Sequence, residues 1–495
     1  MDTVVKTRHG EVRGSVVKRV NTFKGIPYAA PPFGVNRFRP PQPVASWSGV
    51  RDALTYGPTA PKPPYPPPFD ALLPEPVIAG EDCLNLNIWS PELGQAKLPV
   101  MVWIHGGAFT NGSGAVPTYD GRNFARDEVV CVSINYRLGI DGFLALGDGN
   151  TNRGLLDQVA ALEWVQENIA AFGGDPGNVT IFGESAGAMS VGALLSMPRA
   201  KGLFRRAIAE SGAGHHVISS ETAQRVSRYF AEKLGIEPTR EALAAVPLNA
   251  LVQAQVELSA DVYKKPNPAL WGEIVANGMP FEPVIDGDIL PTRPIDSIAA
   301  GSSVGVDVLI GTNADEQRFF LVPNGVINSI TEEALARRIA AYGLPVDPTL
   351  AVYRAERPAA SPGDLLGALI TDWFYRIPAI RLAEAQVKNN ATAYMYEFGW
   401  RSPQFAGNLG ACHSLEIAFV FDNLEKEGNE VLLRMSAPQQ LADTMHAAWV
   451  AFATSGNPGW PKYDLSRRAT MRFDTTSGVV NDPGSPERAL WEGLR

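Results

Sequence analysis

The sequence predicts an α/β fold: a central, mostly parallel twisted sheet with helices on both faces and helical insertions that wall a pocket. Three observations predict it. Short apolar runs bounded by turn residues recur along the chain. A segment of helical periodicity lies between two of them, the order expected of a strand–helix–strand crossover. Glycine and proline are abundant, 47 and 40 of 495 residues, which favours many turns over a bundle of helices.

The apolar runs occupy residues 99–104, 129–134, 179–182, 206–209, 306–310 and 393–398. Their near-continuous apolar character suits strands covered on both faces. Between the second and third, residues 155–172 carry Val159, Leu162, Val165 and Ile169 at three- and four-residue spacing, and Gly173-Gly174 with Pro176 stops the helix. The stretches 213–280 and 324–388 are richer in helical patterns, for example 221–234, and read as insertions into one domain spanning 1–495. Residues 58–76 hold a dense proline cluster. Both of its flanks read as parts of the same core, so it is expected to be a surface loop and not a linker.

Composition excludes several classes. Hydrophobic residues make up 45% and charged residues 19%, enough apolar side chain for a sizeable core and too little charge for disorder. The net charge of −9 argues against nucleic acid or an anionic membrane face as partner, because cations supply most of that affinity. The strongest apolar run, 100–104, falls far short of the ~20 residues a membrane-spanning helix needs. The first residues lack a basic stretch followed by an apolar core, so no secretory signal is expected. Cys83, Cys131 and Cys412 fit neither a disulfide framework nor a paired-cysteine zinc site. A cytoplasmic location is the simplest expectation.

The chemistry starts at Gly183-Glu184-Ser185-Ala186-Gly187, which follows the apolar run 179–182 and precedes a helix-compatible run at 188–197. A serine on a sharp strand-to-helix turn presents its hydroxyl clear of the sheet, and the flanking glycines let strand and helix close together. A second match, Gly301 to Gly305 around Ser303, precedes a strand instead of following one, so context selects Ser185. His105-Gly106-Gly107-Ala108-Phe109 follows the run 99–104. Small residues at a strand end let backbone N–H groups approach a developing oxyanion. Gly107 and Ala108 are the expected donors, with Gly106 next to them and the amide of Ala186 completing the set; His105 is expected to be structural.

A serine nucleophile needs a general base that is neutral near pH 7. Of the six histidines, those far enough after Ser185 to leave room for an acid between are His413 and His446. His413 sits in a loop after the run 393–398, whereas His446 sits in a helical pattern, so His413 is preferred. The run 306–310 leads into Asp315-Glu316, two carboxylates at a strand's carboxyl end, and local chemistry does not separate them.

Taken together these segments resemble the type-B carboxylesterases, the carboxylesterase and cholinesterase group, and look most like the bacterial para-nitrobenzyl esterases. The resemblance runs to about residue 462 and adds Phe23-Lys24-Gly25-Ile26-Pro27-Tyr28, Glu81-Asp82-Cys83-Leu84-Asn85-Leu86, Phe281-Glu282-Pro283-Val284 and His413-Ser414-Leu415-Glu416. It implies an α/β-hydrolase fold and a serine carboxylesterase acting through an acyl-enzyme, with Ser185, Glu316 and His413 as triad, Gly107, Ala108 and Ala186 as oxyanion donors and Ser211 supporting from behind. It also implies that Arg153 pairs with Asp175 and Glu81 with an early arginine, that Glu184 is an electrostatic neighbour and not a base, its side chain pointing elsewhere, and that Cys83 stays unpaired because its upstream partner is replaced by the proline cluster. Tyr65 and Phe69 stand where choline-binding relatives carry a tryptophan, which argues against choline esters.

The expected partner is a small-molecule ester, with no cofactor, no metal, no nucleic acid and no membrane, in a monomer or homodimer. Phe109, Tyr119, Trp271, Phe319 and Phe320 are the candidate pocket aromatics. An ordinary imidazole as base would make activity fall below about pH 6.5. The alternatives are an amidase or carbamate hydrolase on the same triad, a lipase, and a binding or adhesion protein that keeps the fold without the chemistry.

Overall fold

The computed structural model describes residues 2–147, 149–434 and 437–495. Its strands are β1 (Asp2–Lys6), β2 (Glu11–Val17), β3 (Val20–Pro27), β4 (Val50–Asp52), β5 (Asn85–Ser90), β6 (Gly94–Ile104), β7 (Val130–Ile134) and β8 (Phe172–Glu184). They continue with β9 (Arg206–Glu210), β10 (Ile218–Ser219), β11 (Val284–Ile285), β12 (Asp307–Asn313), β13 (Ala393–Phe398), β14 (Ala469–Phe473) and β15 (Gly478–Asn481). All but β10 and β11 join one sheet in the order β1-β2-β3-β5-β7-β6-β8-β9-β12-β13-β14-β15, with β4 beside β2. From β7 to β14 every pairing is parallel, and the flanking strands pair antiparallel except for β4, which pairs parallel with β2. This is the α/β-hydrolase architecture.

The six apolar runs form the middle of that sheet as β6, β7, β8, β9, β12 and β13. Val100, Met101, Val102, Trp103 and Ile104 are fully buried, because residues on both faces of a parallel strand are covered by helices. The crossover helix, Arg153–Asn168, ends in a 3-10 turn, Ile169–Ala171, one residue before β8. It therefore stops ahead of Gly173, whose left-handed φ of 87° presses it against the Glu92 carbonyl and lets the chain enter the sheet. Residues 213–280 include the helices Ser220–Leu234 and Leu248–Lys264, and residues 324–388 include Glu332–Ala341, Pro362–Thr371 and Ile377–Lys388.

Two cores sandwich the sheet. One gathers the crossover helix, Ala186–Ser196 and both insertions. The other lies under Gln439–Ser455 and contains Trp103, Phe182, Phe421 and Trp449. The proline-rich segment folds over the carboxyl ends of β6 and β8, where Asn111 Nδ2 donates to Pro63 O at 2.7 Å.

Some implied contacts differ. Arg153 spreads over the carbonyls of Ile140, Asp141, Leu144 and Asn150, and Asp175 accepts the amide of Gly177. Arg137 and Asp157 form a buried ion pair at this helix. Among the described residues no arginine pairs with Glu81; Arg8, Arg13, Arg37 and Arg51 pair with Glu167, Asp52, Asp141 and Asp82. Cys83, Cys131 and Cys412 are all free and buried.

Candidate active site

Ser185 sits between β8 and the helix Ala186–Ser196 with φ 57° and ψ −123°, a strained conformation that aims a side chain away from the sheet. The two glycines are obligatory on steric grounds. A Cβ on Gly183 would lie 2.5 Å from the carbonyl of Ile104, and one on Gly187 2.0 Å from the same oxygen. The decoy Ser303 is buried and donates to Gln386 Oε1 at 3.1 Å, a structural contact.

One cavity is bordered by Ser185, His413, Gly106, Gly107 and Ala108. Gly107 and Ala108 have left-handed φ values of 111° and 52°, and a Cβ on Gly107 would strike the Asn111 carbonyl at 2.3 Å. The amide of Ala186, first residue of its helix, is one of the donors that a helix leaves unpaired at its start. His105 is not part of this constellation: its Nδ1 is 2.8 Å from Gly106 O, it stacks on Tyr136, and burial lowers it to about 3.

The loop that carries these amides is held by the proline-rich segment. Buried Lys62 donates to Gly112 O at 2.9 Å and pairs with Glu75, while Glu75 accepts Gly112 N–H at 3.2 Å. Both backbone groups of Gly112 are thus gripped by a charged pair from the segment above. Lys62→Met should lower kcat by up to about 10²-fold through misplacement of the donors; kinetics on a nitrophenyl ester, with circular dichroism to confirm folding, measure it.

His413 Nδ1 lies 2.7 Å from Glu316 Oε2, and Glu316 Oε1 accepts the amide of Asn313 at 2.8 Å. Glu316 is wholly buried. Asp315 turns the other way, accepting from Arg401 at 2.9 Å and from the amide of Ala411 at 3.0 Å. The geometry therefore separates the two carboxylates that local sequence left equivalent. Ser211 donates to Glu416 Oε1 at 3.4 Å, and Glu416 also accepts from Asn313. Ser211 thus reaches Glu316 only through Glu416 and Asn313, two residues that sequence reasoning assigned no role. Glu416 stood in the quoted His413-Ser414-Leu415-Glu416 segment, which was the available signal.

Glu184 corrects an expectation. Its Oε1 is 3.1 Å from His413 Nε2 and accepts from Ser414 Oγ at 2.8 Å, so the carboxylate faces the imidazole. Burial favours the neutral imidazole, yet Glu184 and Glu316 outweigh it and raise His413 to about 9. Burial likewise pushes Glu184 and Glu416 above the usual carboxylate range.

This revises the pH expectation. An imidazolium cannot accept the serine proton, so kcat/KM should fall as pH drops through a raised ionisation, with its midpoint above 6.5. Glu184→Gln, which removes one flanking charge, should move that midpoint down; a pH–rate profile of both proteins gives the comparison.

Of the candidate pocket aromatics, Tyr119, Phe319 and Phe320 border the cavity with Tyr65. Phe69 packs behind them, 5.6 Å from Phe319, and Phe320 lies 5.5 Å from the His413 ring. Phe109 and Trp271 lie elsewhere. Phe109 is fully buried against Phe143, and Trp271 packs on Tyr229 within the first insertion while donating to Lys265 O at 2.9 Å. Both are large apolar rings that gain most from full burial. Leu72, Val116, Leu432 and Leu433 are among the other apolar residues of the wall, which sequence did not single out because each also reads as core.

A doubly wound sheet, a serine on a strained elbow and an imidazole–carboxylate pair at the strand ends define a serine hydrolase of the α/β-hydrolase class. The pattern of the Carboxylesterase family matches residues 1–491, and the chain belongs to that family; it is a carboxylic-ester hydrolase. It is 40% identical to the para-nitrobenzyl esterase of Bacillus subtilis (strain 168) across 98% of this chain and 97% of that one. It is 34% identical to the phenmedipham hydrolase of Pseudarthrobacter oxydans across 97% and 96%. The crystal structure of Geobacillus stearothermophilus carboxylesterase EST55 at pH 6.2 superposes with a TM-score of 0.86 at 40% identity, covering 99% of this chain and all of that one. No helix among the described residues is long and apolar enough to cross a membrane.

Proposed function

We propose that Ser185 attacks the ester carbonyl, that His413 takes the hydroxyl proton and returns it to the leaving alcohol, and that Glu316 orients the imidazole. The amides of Gly107, Ala108 and Ala186 hold the oxyanion, with Gly106 shaping the approach. Ser211 positions this machinery through Glu416. An acyl-enzyme forms and a water then releases the acid by the same groups in reverse. The observation that carries this reading is the His413–Glu316 contact of 2.7 Å on the cavity that Ser185 borders. Because Glu184 engages Nε2 in the resting arrangement, attack requires Ser185 to compete with that carboxylate for the imidazole.

The substrate is a small to medium ester: the apolar wall around Tyr119, Phe319 and Phe320 suits a hydrophobic alcohol or acyl group. The protein acts in the cytoplasm as a monomer or homodimer with no cofactor or nucleic acid, a reading supported by its acidic net charge and its three unpaired cysteines. A fluorophosphonate should label Ser185 alone, detected by peptide mass, with no labelling of Ser303. Labelling elsewhere, or none, would refute the assignment.

A further inference from the structure

Arg495 reaches into the interior beside the first insertion. Its guanidinium lies 3.8 Å from the centroid of the Trp373 ring, and its backbone oxygen accepts from Arg381 at 2.8 Å. Its Nε and Nη2 are inaccessible to solvent and have no hydrogen-bond partner among the described residues. Those two atoms form the edge of the guanidinium that grips a carboxylate with two parallel bonds. Three other arginines fill the same edge. Arg137 uses it on Asp157 at 2.8 and 2.7 Å, Arg376 on Asp372 at 2.6 and 3.0 Å, and Arg488 on Asp482 at 2.8 and 2.9 Å.

The surroundings repeat the pattern of unused donors. Both ring nitrogens of His216, Nδ1 of His215 and Oε1 of Glu282 are buried and unpartnered. Pairing of β10 with β11 is parallel, with Ile218 beside Val284, so His216 and Glu282 occupy matching positions two residues before the paired strands. Glu282 keeps its other oxygen on Asn277 Nδ2 at 2.9 Å. The remaining arginines near His215 are occupied, Arg381 with Glu384 and Arg293 with Asp296.

Buried polar atoms in a folded interior are nearly always satisfied, and a buried charge without a counter-charge is costly. We infer that Arg495, flanked by His216 and Glu282, forms a site for the carboxylate of a small ligand. The protonation states agree with that chemistry. Burial, and then the guanidinium charge, holds His215 and His216 well below their ordinary value, and burial pushes the Glu282 carboxyl up to about 8. Near pH 7 the side chains of Arg495, His215, His216 and Glu282 therefore carry one positive charge between them, with a carboxyl proton and imidazole N–H groups available as further donors.

The site adjoins the reaction centre. In the π-helical turn Asp372–Arg376, Trp373 lies under Arg495, Phe374 packs on His216 with ring centroids 4.1 Å apart, and Tyr375 packs on His413 at 5.0 Å. His215 and His216 also follow Gly212 closely, and a Cβ on Gly212 would lie 2.6 Å from the carbonyl of Ser185. The carboxylate has two possible sources, the acyl half of a half-ester substrate or a free acid bound beside the catalytic groups.

Glutarate is the probe. Calorimetric titration of the whole protein at pH 7 should show saturable binding, weakened at least tenfold by Arg495→Met and also by Arg495→Lys, which keeps the charge and loses the fork. The binding arm needs no turnover, so it stands apart from the proposed triad. In parallel, the ratio of kcat/KM for the nitrophenyl half-ester of glutarate to that for nitrophenyl pentanoate is measured in each protein. A ratio at least tenfold lower in Arg495→Met assigns the carboxylate to the acyl group. Lost glutarate binding with an unchanged ratio assigns it to a free acid. No glutarate binding by the unmutated protein together with an unchanged ratio overturns the site, and Arg495→Lys decides it if Arg495→Met does not fold.

Discussion

Ser185→Ala lowers kcat on a nitrophenyl ester by on the order of 10⁶, the loss expected when the nucleophile of a cooperating triad is removed. The fold should survive. Ser185 borders the cavity and contributes its backbone, not its hydroxyl, to the frame: its amide donates to Glu210 O at 2.9 Å and its carbonyl accepts from Met189 at 2.9 Å. An unchanged unfolding temperature beside abolished turnover is therefore the expected pair of readings. Retention of more than a hundredth of the activity would mean that another group attacks the ester.

The second large effect concerns the acid. Glu316→Gln keeps the shape of the side chain but removes the charge facing His413 Nδ1, which unsettles the tautomer and leaves the imidazolium unsupported in the transition state. A fall in kcat of about 10⁴ follows from analogous carboxylate-to-amide changes. Asp315→Asn should cost less than about tenfold in kcat, because Asp315 faces Arg401 and Ala411, is partly exposed, and an exposed ion pair contributes little. Steady-state kinetics of the two variants side by side give the answer. A larger loss for Asp315→Asn would reverse the assignment.

How far the sequence could be read depended on whether the signal was local. The strands of the sheet centre and the crossover helix follow from apolar periodicity, since burial on both faces or on one stripe writes itself into neighbouring residues. The elbow was legible because Gly183 and Gly187 are dictated by contacts within their own turn and with β6. Glu316 was separable from Asp315 only by resemblance, because which of two adjacent carboxylates faces an imidazole 97 residues later is a matter of tertiary direction. The same limit hid the turn of Glu184 toward His413 and the placement of Asn313 and Glu416. Phe109 and Trp271 misled for the converse reason: an aromatic ring carries the same local signature whether it lines a cavity or fills a core.

The grip of Lys62 and Glu75 on Gly112 has a consequence for how such a protein can change. The segment that borders the cavity is fastened to the corner proposed to hold the oxyanion, so shortening or recomposing the one disturbs the other. Breadth of substrate choice and catalytic power are then inherited as a linked trait, and descendants that admit bulkier molecules must first re-anchor the corner by other means.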